Sequence, residues 1–485
     1  MSMLIKKAIS AVVLSAALPT AVVFAADIPL YGGGATLPAV PYVGSTFAPD
    51  ARLSTELRNL AGPSKAGAGI GSALVPFPGD PLAFLSPMIF DSYMANTVAP
   101  YATDRVRLSY CQTGSGTGKS LLTVGSPGVG NGSADLNCGD FNPPGTLGAL
   151  GGFSSVNDRP NYIGTDAPLS STDYITNFNA GLNAQKGGLV QVPTLVAAVT
   201  LPVRIDGYSS PVNISVADVC RIFKGTITNW NAVTSLSPTG PNLAIRVVSR
   251  SDNSGTTYAF SNFLANRCNA AFGGVLPDAP AGTAAVFTNQ TYNPTTKLRV
   301  DIAASGNSGV VTAVRGQNGA IGYADAGDVF ATSTKYALVA GQDPQTNFTG
   351  AGLSYLINTL VNTTVTTSNG IPTTTAVPAG QVTSYPGAVV VASPTANVSG
   401  GYPIFAVTYL ATYARGNNQA DQGANANAAS ALRGLLNFIH GLGTAPAVPA
   451  PSLPVGFSYI DLSSPVVSGG TLATAVPNAI SQIQN

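Results

Sequence analysis

The 485-residue chain carries 22 Lys and Arg against 21 Asp and Glu, and is 45% hydrophobic but only 9% charged. That near-balance argues against nucleic acid or an anionic membrane as partner, so any anion recognition has to come from local geometry. With 54 Gly and 36 Pro it has many turns and long loops, while its hydrophobic share is too high for a disordered chain.

Residues 1–26 read as an export signal. Lys6 and Lys7 precede an interrupted apolar run from Ala8 to Val23, and Val23-Phe24-Ala25 fits a small-residue cleavage site. Removing those two lysines leaves 20 basic residues against 21 acidic ones, since residues 1–26 hold no Asp or Glu. No cysteine follows the run to mark a lipid anchor, and no later stretch is long and apolar enough to span a bilayer. The mature chain is expected to be soluble and periplasmic or secreted. The roughly 460 residues that remain exceed one compact core, so two domains are expected.

Along the mature chain, short apolar segments alternate with helical ones, an α/β pattern. Gly32-Gly33-Gly34-Ala35-Thr36-Leu37-Pro38 offers consecutive backbone N–H groups and the Thr36 hydroxyl, although glycine runs are commonly plain turns. Thr113-Gly114-Ser115-Gly116-Thr117-Gly118-Lys119-Ser120 looks like a nucleotide P-loop but has Thr113 where that pattern needs glycine. A helix start donating to a single anion, chiefly from Ser115, fits better. In Tyr162-Ile163-Gly164-Thr165-Asp166-Ala167-Pro168-Leu169-Ser170, Asp166 ends an apolar run, where a carboxylate serves equally well as a cap.

Leu189 to Val203 is a long strand-like run, broken by prolines, that could pass between domains. Ser215 caps a predicted helix whose buried face is Val216, Val219, Cys220 and Phe223. Ile245 to Val248 is a buried strand, which puts Arg250 at its carboxyl end, where open α/β sheets bind ligands. Phe260, Phe263, Leu264 and Cys268 recur at helical spacing, so a helix starts near Ser254 with Ser254, Gly255 and Thr256 in its first turn. Its unpartnered N–H groups and dipole favour an anion, to which Arg250 adds a planar fork of donors. Alone, this segment is equally compatible with a capped surface helix and a solvated arginine. Gly319 to Ala324 is another strand, Ala340 to Ser399 a loop-rich insertion with some β structure, Gly401 to Leu410 a core strand, and Ala428 to Leu442 a surface helix.

Four cysteines in an exported chain suggest two disulfides, and three pairings are open, with proximity favouring Cys111–Cys138 and Cys220–Cys268. One histidine, His440, and no CxxC spacing speak against a metal site, and no cofactor is expected.

Taken together, Gly-Ala-Thr-Leu at 34–37, Gly-Ser-Gly-Thr-Gly-Lys at 114–119, Thr-Asp-Ala-Pro-Leu-Ser at 165–170 and Arg-x-Asp-x-Ser-Gly-Thr at 250–256 resemble the four phosphate loops of periplasmic phosphate-binding proteins, the receptors of phosphate ABC transporters. The resemblance points to the DING branch, although Asp27-Ile28-Pro29-Leu30 replaces the name-giving tetrapeptide. It covers most of the chain from Ala26. The connections at 48–108 and 121–159 are longer than is usual for the family. Cys111 and Cys138 fall in these additions, whereas Cys220–Cys268 matches a family pair.

The resemblance implies a two-domain α/β fold of the type II, Venus-flytrap kind, with the ligand in the interdomain cleft. Residues 27–200 and 399–485 would form one domain, and 201–398, with its insertion near 340–398, the other. It implies phosphate ligands at Thr36, Leu37, Ser115, Asp166, Arg250, Ser254, Gly255 and Thr256, with Asp166 accepting a proton that phosphate carries and sulfate lacks. No catalytic residue is implied. The expected partners are inorganic phosphate and an ABC permease, with no nucleic acid, no membrane insertion and a monomeric state. A secreted protein with a scavenging, adhesive or matrix role is the alternative, followed by a phosphatase, which would need an activated nucleophile or a metal pair.

Overall fold

A computed structural model of the chain describes residues 27–43, 89–95, 105–108, 110–125, 139–141, 144–147, 159–169, 173, 176–177, 179–271, 299–348, 360–364, 388–392, 401–419, 422, 426–443, 450–463 and 471–485. The export signal, the Cys111–Cys138 pairing and most of the connections at 48–108, 121–159 and 340–398 lie outside the described residues.

Strands β1 to β6 are Asp27–Leu30, Gly32–Gly34, Arg105–Leu108, Cys111–Gln112, Gly139–Phe141 and Pro144–Leu147. Then follow β7 (Tyr162–Thr165), β8 (Leu189–Pro202), β9 (Val212–Ile214), β10 (Arg246–Arg250), β11 (Ile302–Ala304) and β12 (Ala320–Ile321). The last six are β13 (Ala324–Asp325), β14 (Tyr336–Val339), β15 (Leu360–Thr364), β16 (Ala388–Ala392), β17 (Phe405–Tyr413) and β18 (Phe457–Tyr459). Helices α1 to α5 are Ala39–Val43, Ile89–Ala95, Ser115–Val124, Leu182–Lys186 and Val216–Lys224, and α6 to α10 are Gly255–Ala271, Gly306–Gly316, Ala326–Ala331, Ala428–Ile439 and Leu472–Ser481.

The fold is mixed α/β. The larger sheet runs β15-β16-β8-β17-β7-β2-β4, and a smaller one has the order β11-β10-β12 with parallel pairing. Strand β8 links the two regions. Nine of its first ten residues pair with β17, and its last ones turn to β13 and β14 (Thr200 opposite Ala324, Pro202 opposite Tyr336) before Val203 bridges to Ile321 of the smaller sheet.

The prolines do not break β8. Between Thr408 and Tyr409 the register with β17 skips Thr194, so the missing N–H of Pro193 falls at a bulge. Thr194 Oγ1 there meets Thr408 Oγ1 at 3.0 Å and Tyr42 Oη at 2.7 Å. The sequence also predicts α9 as a surface helix, whereas Ala428, Ala431, Leu432, Leu435, Leu436 and Ile439 are all buried and the helix packs against α2 and α10. Its alanines let neighbouring elements approach, a packing feature that helical periodicity does not announce.

Two aromatic clusters support the region between the sheets. Phe260 of α6 lies 4.7 Å from both Phe223 and Tyr323, edge-on to the first and stacked on the second. On the other side Tyr42 stacks on Phe90 at 4.9 Å, and Tyr110 donates its hydroxyl to Ala35 O at 2.7 Å. The Cys220–Cys268 disulfide forms and ties α5 to α6, with a Cα–Cα distance of 5.6 Å. Among the described residues no helix is long and apolar enough to cross a membrane.

Candidate functional site

Helices α3 and α6 begin at the ends of β4 and β10, and their first turns meet. Gly116 N–H donates to Asn253 O at 3.1 Å. A Cβ on Gly255 would lie 2.4 Å from Ser115 Oγ and 2.6 Å from Asp166 Cβ, so only glycine lets α6 approach this closely. Ser115, Asp166 and the start of α6 are thereby brought into one buried cluster.

All eight residues singled out in the sequence are buried. Ser115 Oγ accepts from Asp166 N–H at 3.1 Å and Ser254 Oγ accepts from Thr257 N–H at 3.1 Å, which leaves each hydroxyl proton available to an acceptor. Thr36 Oγ1 is buried with no hydrogen-bond partner, and Leu37 follows it. Both carboxylate oxygens of Asp166 are likewise buried and unpartnered. Burial pushes the Asp166 carboxyl up to about 8, and the nearby charge of Arg250 only partly opposes this.

Arg250 sits at the carboxyl end of β10, as its sequence position predicts, but its fork is turned onto a neighbour. Nε donates to Asp252 Oδ1 at 2.6 Å and Nη2 donates to Asp252 Oδ2. Nη1 reaches Asn307 Oδ1 at 2.9 Å and Thr256 Oγ1 at 3.5 Å. The backbone N–H of Arg250 donates to Tyr323 Oη at 3.2 Å, and that hydroxyl also pairs with Thr257 Oγ1 at 2.8 Å. The arginine is therefore held from several sides, and Asp252 balances its charge.

Asp252 stood in the Arg-x-Asp-x-Ser-Gly-Thr motif with no role attached, and Asn307 and Tyr323 escaped the sequence reading. Ser251 and Asp252 form a bend between β10 and α6, and that bend sets the Asp252 carboxylate against Arg250. Asn307 is 57 positions from Arg250 and Tyr323 is 73, with no local pattern linking them.

Two side chains that could have suggested chemistry lie elsewhere. Lys119, the P-loop-like lysine, binds Asp173 and Pro168 O, each at 3.1 Å, and so pins the loop after Asp166 to α3. His440 places its two ring nitrogens 2.7 Å from Leu436 O and Pro193 O. Among the described residues no three His, Cys, Asp or Glu side chains gather as a metal-binding group.

The chain is 29% identical over 216 residues to a protein named alkaline phosphatase L from Pseudomonas aeruginosa strain PAO1, a match covering 44% of this chain and 48% of that one. It is 33% identical over 156 residues to a phosphate-binding protein from an unknown prokaryotic organism, covering 32% and 38%. The chain thus spans about half or less of the length of these curated relatives. The solved structure of a high-affinity periplasmic phosphate-binding protein (PfluDING) bound with phosphate aligns over 86% of this chain and 87% of that one, at 22% identity and a TM-score of 0.49. A family model described as a PBP superfamily domain matches residues 89–439, well over half of the sequence. By that match, the chain belongs to the PBP superfamily.

Proposed function

We propose that the chain binds inorganic phosphate between its two α/β regions and serves as the solute receptor of a phosphate importer. One observation carries this reading: Asp166, a buried carboxyl with both oxygens unpartnered, stands among hydrogen-bond donors. An anion satisfies the donors, but only an anion with a proton of its own also satisfies an ionised Asp166. Monohydrogen phosphate meets both needs; sulfate meets one.

In this reading Thr36 and Leu37 donate by hydroxyl and backbone, Ser115 by its hydroxyl, and Ser254, Gly255 and Thr256 from the start of α6. Arg250, clamped by Asp252, supplies a fixed set of donors, with less net attraction than an unpaired arginine would give. Residues 27–200 and 399–485 form one domain and 201–398 the other, with β8 as a crossing, and the closed form is selected because only it assembles both sets of donors. Residues 1–26 direct export. Delivery to an ABC permease follows for a periplasmic location, and a scavenging role for a secreted one.

Hydrolysis of phosphate esters is a second reading, favoured by the name of the Pseudomonas relative. Against it, the ring nitrogens of the sole histidine are both engaged by main-chain carbonyls, so His440 cannot activate a nucleophile in the pocket from that position. Equilibrium dialysis with radiolabelled phosphate, run beside a p-nitrophenyl phosphate turnover assay, separates the two. Saturable binding without turnover supports the receptor. Turnover that depends on Arg250 and Ser115 would replace it with the enzyme.

A further inference from the structure

The first turn of α7 brings another donor to the pocket from a segment with no anion-binding pattern in its sequence. Asn307 is fully buried, and its Oδ1 accepts from Arg250 Nη1 at 2.9 Å. A guanidinium can only donate, so this bond fixes which end of the amide faces Arg250 and directs Nδ2 away from it. Nδ2 has no hydrogen-bond partner. Gly306, one residue earlier, donates its N–H to Asp252 Oδ1 at 3.1 Å, and a Cβ built on it would lie 3.9 Å from Thr36 Cγ2. The start of α7 therefore lies beside both the arginine clamp and Thr36, whose hydroxyl is also buried without a partner.

Holding Arg250 does not by itself account for Asn307. Asp252 already fixes the guanidinium through Nε and Nη2, and an acceptor such as serine would serve Nη1 without burying an unpaired amide. We propose that Asn307 is a ligand-binding residue, its Nδ2 donating to an oxygen of the bound oxyanion while its Oδ1 receives Arg250. The inference rests on the phosphate reading above and adds α7 as a third helix start in the site, beside α3 and α6. It also makes Asn307 a link between ligand and arginine: the amide is polarised from both ends when the anion is present.

The test is calorimetric titration of the purified protein with inorganic phosphate, using Asn307→Ala in the wild-type and Arg250→Lys backgrounds. Lysine keeps a charge beside Asp252 but lacks the second nitrogen that bonds Asn307. A direct donor predicts that Asn307→Ala weakens phosphate by roughly tenfold in both backgrounds, the scale of one hydrogen bond to a charged acceptor. Asn307→Ser, which retains a donor, is expected to lose less and guards against a misfolded alanine variant. Wild-type binding with Asn307→Ala within about twofold of it, or an effect that vanishes in the Arg250→Lys background, overturns the inference alone. A wild-type protein that does not bind phosphate overturns the functional reading and this inference with it.

Discussion

Asp166→Asn should remove a pH-dependent part of anion discrimination while leaving the shape of the pocket intact. Burial holds the carboxyl up to about 8, with Arg250 opposing. Below that pH Asp166 is neutral and can donate to sulfate as readily as a hydroxyl does. Above it the group is ionised, and sulfate binds only if a proton is taken up from solution. That uptake costs about 1.36 kcal/mol, a factor of ten, for each pH unit above the carboxyl's value. Monohydrogen phosphate brings its own proton and escapes the penalty. Phosphate-over-sulfate preference should therefore rise about fivefold between pH 8, where about half of the carboxyl is ionised, and pH 9, where nearly all of it is, and Asp166→Asn should flatten that rise. Competition calorimetry over pH 6.5 to about 9.5 would measure it, a range set to bracket the carboxyl's value. A wild-type preference that stays constant across the range, or an Asn variant with the same slope, would refute the reasoning.

Three further outcomes follow from the geometry. Arg250→Ala should weaken phosphate at least about tenfold by calorimetry, from loss of charge-assisted donors worth about 1.5–3 kcal/mol; near-normal affinity would show that the arginine serves Asp252 alone. Gly255→Ala places a methyl group 2.4 Å from Ser115 Oγ, so the variant should stay folded by circular dichroism yet lose phosphate binding, and a fully competent variant would mean that the two helix starts need not meet. Replacing Cys220 and Cys268 together by Ala opens a link spanning 48 residues between α5 and α6. Chain-entropy arguments put that loss at about 4 kcal/mol, observable as an earlier urea midpoint, and an unchanged midpoint would place the stability of α6 elsewhere.

Much of the pocket was legible because its donors sit at helix starts, and helix starts have local signatures. Ser254 and Ser215 each cap the helix that follows, and the buried stripe Phe260, Phe263, Leu264 and Cys268 fixes α6 in register. Arg250 was placed by the strand before it. Contacts made by folding alone were not legible. Asn307 and Tyr323 reach Arg250 from far along the chain, and nothing near either residue marks them. The fork of Arg250, expected on an anion, lies on Asp252 because the bend at Ser251 and Asp252 after β10 turns that carboxylate onto it. Pro193 argued for a broken strand, yet the bulge at Thr194 absorbs it, and a bulge is a property of the pair of strands.

The most direct test of the central claim is isothermal titration of the purified protein with inorganic phosphate at pH 9, with sulfate as the second titrant. The account predicts one phosphate per chain, and sulfate weaker by at least about tenfold, the factor that one pH unit above the Asp166 value supplies. No heat with phosphate, or equal affinity for the two anions, would contradict it.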